Sequence, residues 1–247
     1  MNPKTVLRKE DCEVSRTAED LIAWIESVKD QFNADDRIEK ILIKAFFEEI
    51  RPLGDLARHK YLGRPGLYLR PKIGDQDYDA EIIDRSSSDE KIARVEFTSA
   101  YRDPDLALRL EYLAQHGDVY MTGYVGRNGT RASGGQVYVV PDFEDHQILL
   151  DKMLNNIKAR VANKFGKPYA ANTILAIVFN DSILYAETDF PQFQPHFRDI
   201  MLSQQALKKF CDVFIIGASG RTFWEFGEAA STDLTRRLNP IRPPDRD

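Results

Sequence analysis

The sequence predicts an α/β protein: a mixed central sheet flanked by helices, with a helical cap at its N-terminal end. Three observations predict it. Short apolar runs such as Ile174 to Phe179 have the length of buried strands. Segments with helical spacing lie between those runs, the pattern that layers helices on a sheet. No internal repeat or linker divides the 247 residues, and a chain of that length buries a full core without staples. The expected organisation is a single α/β domain over residues 1–238, with N-terminal helices at 17–57, a sheet-containing core at 58–226, and a disordered Pro-rich tail at 239–247.

The elements follow in order. Residues 1–16 are polar and expected to be loosely held. Thr17 followed by Asp20 resembles an N-cap, and Leu21, Ile22, Trp24, Ile25, Val28 and Phe32 then repeat at helical spacing. A second helix runs from about Asp36, with Ile38, Ile41, Leu42, Ala45, Phe46 and Ile50 on its apolar side. Glu48 and Glu49 stand near its end, and Pro52 and Gly54 mark a stop or kink. Three strand candidates follow: Gly66 to Arg70, Tyr78 to Ile83 and Ile92 to Ser99. Asp103 and Pro104 open a helix that Gly117 ends. Val119 to Val125 and Gln136 to Val140 alternate like a hairpin around a glycine-rich loop that carries Arg127 and Arg131. A long helix from about Phe143 to Phe165 has Leu150, Leu154, Ile157, Val161 and Phe165 on one stripe. Thr173 to Phe179 and Asp212 to Ile216 read as buried strands, with helical material from Pro195 to Phe210 between them. Phe223 to Phe226 reads as a last short strand.

Composition excludes several classes. Hydrophobic residues are 43% and charged residues 30%, ordinary for a globular protein and wrong for a disordered, collagenous or disulfide-scaffold chain. Cys12 and Cys211 have no CxxC partner, which suits reduced thiols in a cytoplasmic protein. The first 15 residues lack the apolar stretch of a signal peptide, and the longest apolar run falls far short of the roughly 18 residues a membrane helix needs. No membrane partner is expected. The net charge of −5 is a sum of unlike parts. Residues 51–72 hold six basic residues against Asp55, whereas residues 75–90 hold seven acids against Arg85. Residues 152–167 contain five basic residues and no acid. Such runs suit a site that holds a polyanion near a metal, but solvated faces are their commoner cause, and the basic residues of 152–167 read first as a solvated rim around an apolar stripe.

Familiar catalytic patterns are absent. The glycines form no GxGxxG or Walker sequence, Gly217 to Gly220 is no nucleophile elbow, and the four histidines lack zinc spacing. Carboxylate chemistry remains. Asp79 and Glu81 alternate on one short strand, and Glu96 sits inside the next strand between Val95 and Phe97. A carboxylate in an apolar strand is costly unless paired or bound to a cation, and two together raise each other's pKa. A divalent ion removes that conflict, and Mg²⁺ is typically held by one or two carboxylates plus water and phosphate oxygens.

The order of these residues resembles the PD-(D/E)XK nuclease superfamily. A helix ends in FFEEIRPL, a strand carries YDAEII, the next carries VEFTSA, and a helix with RLEYL follows. The resemblance covers about residues 36–116. It implies a restriction-endonuclease-like fold and a metal-dependent phosphodiesterase acting on DNA or RNA. Asp79 and Glu96 would hold Mg²⁺ or Mn²⁺, and Glu48 or Glu49 would be the helical acid. A homodimer is the assembly common among restriction-type members. The match departs where the family has lysine: Thr98 stands there, and at most positions water. Tyr78 also replaces the expected proline before Asp79. The missing positive charge would have to come from a displaced residue such as Arg94 or Lys91, with Arg102 and Lys72 also nearby in sequence.

Arg94, Arg109, Arg127 and Arg131 are the candidate nucleic-acid contacts, together with the basic helix from Lys152 to Lys167. Plainer readings stay open. Glu96 could pair with Arg94 or Arg109, Arg109 with Glu111, and the arginine loop could be a mere hairpin connection. The alternative function is a nuclease-fold protein that lost catalysis with its lysine and serves as a binding or assembly module. An accidental match in an unrelated α/β protein is the third reading.

Overall fold

The computed structural model describes residues 7–34, 39–100, 104–118, 124–130, 133–141, 145–181, 189–203 and 206–227. The helices are α1 (Lys9–Cys12), α2 (Ala18–Ala34), α3 (Lys40–Ala45), α4 (Arg51–Leu56), α5 (Pro104–His116), α6 (His146–Phe165), α7 (Asp189–Ser203) and α8 (Ala206–Lys209). The strands are β1 (Leu67–Pro71), β2 (Ala80–Asp84), β3 (Lys91–Ser99), β4 (Tyr124–Arg127), β5 (Val137–Val140), β6 (Thr173–Phe179), β7 (Asp212–Gly217) and β8 (Phe223–Gly227). Six of them form one mixed sheet in the order β1-β2-β3-β6-β7-β8, and β4 pairs with β5 apart from it. The pairs β1–β2, β2–β3 and β7–β8 are antiparallel; β3–β6 and β6–β7 are parallel. This is the mixed, helix-flanked sheet that the apolar runs anticipated. No helix among the described residues is long and apolar enough to cross a membrane.

The sheet separates two apolar layers. Leu21, Ile25, Phe46, Ile50, Leu53 and Leu56 of the N-terminal helices pack with Val95, Phe97, Ala176 and Phe214. Leu150, Ile157 and Val161 of α6 and Phe193 and Phe197 of α7 pack with Leu175, Ile177, Val213 and Ile215. All seven residues of β6 are buried, which is why its sequence is a continuous apolar run rather than an alternation.

Several boundaries differ from the sequence reading. Residues 7–16 are structured: α1 forms there, and Arg16 exchanges backbone hydrogen bonds with Leu69 of β1. Pro52 and Gly54 do not stop the second helix, which continues through α4 and a π-type turn to Tyr61. A second π-type turn, Phe46–Ile50, precedes α4 and widens the helix where the Pro52 ring would otherwise meet the carbonyl four residues back. Gly54 has a packing role, since a Cβ there would lie 2.5 Å from Ile25 Cδ1. The long helix α6 starts at His146, later than expected, because the Asp145 side chain caps it by accepting from the Gln147 N–H at 2.7 Å. Helix α7 begins before Pro195 and carries that proline inside it. The tail at 239–247, Arg131 and Arg102 lie outside the described residues.

Candidate functional site

Asp79 stands one residue before β2, where the β2–β3 pairing ends. Its N–H donates to the Val95 carbonyl at 2.8 Å, and its carbonyl accepts from the Lys72 N–H at 2.8 Å. Beyond Val95 the Phe97 N–H has no β2 carbonyl to reach. The Asp79 carboxylate takes it instead, at 2.6 Å to Oδ2. The acid is therefore fixed in place by the sheet it terminates.

Glu96 pairs across the parallel ladder with Leu175, and Thr98 with Ile177, so both stand on the α6 side of the sheet. Glu96 is 6% exposed. Its Oε1 accepts from the Lys164 ammonium in the last turn of α6 and from the Tyr169 hydroxyl at 3.3 Å. The π-type turn Phe46–Ile50 brings Glu48 and Glu49 to the same place from the opposite layer. Lys44, Glu48, Glu49, Asp79, Glu96, Phe97, Ser99 and Lys164 together line a pocket of about 190 Å³. Glu49, Asp79 and Glu96, far apart in sequence, thus share one cavity with two lysines.

The electrostatics of the pocket follow from burial and crowding. Desolvation pushes the Asp79 carboxyl up to about 6, and the Glu96 charge adds to the push; the Phe97 N–H, Lys164 and Lys167 oppose it. Glu49 is pushed up to about 7 by burial and then by Asp79 and Glu96, against Lys44 and Lys164. Burial and Glu96 also hold the Tyr169 phenol above its ordinary value. Acids so crowded are under-compensated even with two ammonium groups beside them.

The other sequence candidates stand elsewhere. Thr98 is buried and does not line the pocket, so it does not occupy the cavity where a motif lysine was sought. Arg94 is exposed with its guanidinium 4.8 Å over the Tyr78 ring, and Lys91 pairs across the sheet with Asp84; neither lines the pocket. Glu81, a lesser candidate for the role of Asp79, is taken by Arg70 and by the Tyr78 hydroxyl at 2.7 Å. Burial pushes its carboxyl up, but those hydrogen bonds outweigh it and hold the group below the usual range. Arg109 is buried on α5. Arg127 is engaged by Glu111 at 2.6 Å and by the Gly135 carbonyl at 2.8 Å, which ties the hairpin to α5.

Lys164, Tyr169 and Lys44 are the site residues that sequence reasoning missed. Lys164 was grouped with a solvated basic rim, yet it follows Ile157 by seven and Val161 by three, so it continues the stripe that faces the sheet. That phase was the available signal. Tyr169 carried none.

Among the described residues, no group of three or more His, Cys, Asp or Glu has the arrangement to hold a metal ion. Asp79 and Glu96 are the carboxylates of this pocket that could hold a hard cation, and the Lys164 ammonium already on Glu96 would compete with it. No protein-family model matches the chain, and no characterised protein or solved structure matches it either. The class that fold and site define is a mixed α/β protein with a carboxylate–lysine pocket.

Proposed function

We propose that the chain is a metal-dependent phosphodiesterase acting on nucleic acid, with a PD-(D/E)XK-like site whose lysine comes from α6. The observation that carries this reading is the contact of Lys164 with Glu96 in the pocket that Asp79 and Glu49 share. It supplies the positive charge that Thr98 does not. Asp79 and Glu96 would hold Mg²⁺ or Mn²⁺. When bound, such an ion supplies Lewis acidity, easing water deprotonation and offsetting charge on a phosphate. Lys164 orients the attacking water and stabilises charge on the phosphate, as a positioned ammonium can. Glu49, with its carboxyl near 7, is suited to move a proton at neutral pH. Exposed Lys158 and Lys167 on and beside α6, and exposed Arg94 on β3, are the candidate contacts to phosphate.

The test pairs calorimetric titration of Mg²⁺ and Mn²⁺ with cleavage assays on plasmid, linear duplex, single-stranded DNA and RNA. Glu96→Gln should abolish both metal binding and cleavage. Lys164→Met should keep metal binding and lower cleavage by at least about 100-fold. Cleavage that survives Glu96→Gln overturns the site. Metal binding without cleavage of any substrate favours the second reading, a catalytically degenerate module. The same Lys164–Glu96 pair supports that reading, because an ammonium on Glu96 can substitute for the metal as its counter-charge.

A further inference from the structure

We infer that Lys209, far from the pocket in sequence, is the positioning residue that holds the Glu96 partners in place. Resting on the proposed role of Lys164, the inference concerns how that lysine is aimed. Lys164 and Tyr169 contact the same oxygen of Glu96, Lys164 from the last turn of α6 and Tyr169 from four residues past its end. A helix C-terminus leaves its last carbonyls without intrahelical donors. Lys209, the final residue of α8, donates its ammonium to two of the carbonyls on this turn, those of Phe165 and Lys167. The same ammonium lies 5.5 Å from the ring centroid of Phe165 and 5.5 Å from that of Tyr169. Phe210, next in the chain, packs its ring against the same two aromatics at 6.2 and 5.2 Å. One side chain thus bridges the helix end that carries Lys164 and the ring that carries the second Glu96 contact.

The bridge has a functional consequence. Lys164 competes with a cation for Glu96, so anchoring its turn sets two quantities in opposite directions. A firmly placed Lys164 weakens metal binding at Glu96 and speeds the chemistry that needs the ammonium nearby. Loosening the turn should tighten metal binding while slowing turnover. A residue with only a folding role would weaken both.

The first experiment needs neither metal nor substrate. Lysines of the full chain are labelled with limiting acetic anhydride and their rates read by peptide mass spectrometry. Lys164 and Lys60 are the comparison pair, since both are ion-paired and similarly buried, at 16% and 19% side-chain exposure. In Lys209→Met, Lys164 should label about 5-fold faster through local opening, with Lys60 unchanged. In Lys209→Arg, whose guanidinium can still donate to both carbonyls, Lys164 should stay protected. Unchanged Lys164 labelling in Lys209→Met overturns the inference, and so does an equal rise at Lys60, which would report general loosening. The second experiment measures Mn²⁺ affinity and turnover in the same variants. Lys209→Met should bind Mn²⁺ about 3-fold tighter and turn over about 10-fold slower, with Lys209→Arg restoring both. Parallel losses of affinity and turnover overturn the inference. If wild-type protein shows neither Mn²⁺ binding nor cleavage, the proposed function fails, while the labelling result still decides whether Lys209 positions Lys164.

Discussion

Asp79→Asn should make the protein more stable at pH 8, and the gain should vanish in acid. Asparagine keeps an oxygen to accept the Phe97 N–H, now held at 2.6 Å, so the strand end need not change. What is lost is a charge that folding displaces from water into a pocket with Glu96 and Glu49. Folding moves the Asp79 carboxyl from 3.8 to about 6, by burial first and the Glu96 charge second. A group whose folded pKa is raised binds more protons folded than unfolded between those values, so its ionisation destabilises the fold progressively as pH rises through that window. Two units correspond to about 3 kcal/mol. Burying a neutral amide returns part of this, leaving a net gain of about 1–2 kcal/mol. For a chain of this size that is a Tm rise of roughly 3–6 °C. Urea unfolding of both proteins in EDTA at pH 8 and pH 4.5 measures it. Added Mg²⁺ should then stabilise the wild type and not Asp79→Asn. A variant no more stable than wild type at pH 8, or equally stabilised at pH 4.5, would refute the account of a strained carboxylate pocket.

Other outcomes can be checked with single variants or reagents. Gly217→Ala should destabilise by about 2–3 kcal/mol in urea unfolding. A Cβ there would lie 2.1 Å from Asp181 Oδ2, and Asp181, 2% exposed, already accepts from the Ser219 N–H and the Thr222 hydroxyl. Glu81→Ala should lower stability by about 1–2 kcal/mol, a value held down because Arg70 is 37% exposed and can rehydrate. With a chromogenic disulfide reagent at pH 8, the native chain should show one accessible thiol, Cys211. Cys12 is fully buried with its thiol pushed up to about 11, so it should react only after unfolding.

The sheet was legible because buried parallel strands cannot hide: β6 and β7 are covered on both faces, and only apolar runs survive there. The acids were legible for a related reason. Glu96 is a charge inside such a run, an anomaly that needs a cation whatever its role. The basic partner was not found by looking along β3, because spacing within a strand reports only residues on that strand. Lys164 lies 68 positions away and is delivered by packing of α6 on the sheet. The continuation of the helix past Pro52 and Gly54 was illegible for another reason. Proline and glycine are read as breakers by local propensity, and the π-type turn and the close approach of Ile25 that reverse the reading are tertiary facts. Residues 7–16 were misread on polarity alone, since their order comes from a backbone pairing with β1 that composition does not encode.

The delivery of Lys164 by a helix sets where the chain can change length. Between β3 and α6 the path runs through α5 and the separate β4–β5 hairpin, and residues could be added there without moving the pocket. Inside α6 the tolerance disappears. One residue inserted between Val161 and Lys164 turns everything beyond it by about 100°, swinging the ammonium off Glu96 while leaving Ile157 and Val161 in the core. Such a chain would keep its sheet and its acids and lose the ammonium that sits on Glu96. Insertions and deletions across this protein should therefore gather in the β3–α6 connection and be missing from the last two turns of α6.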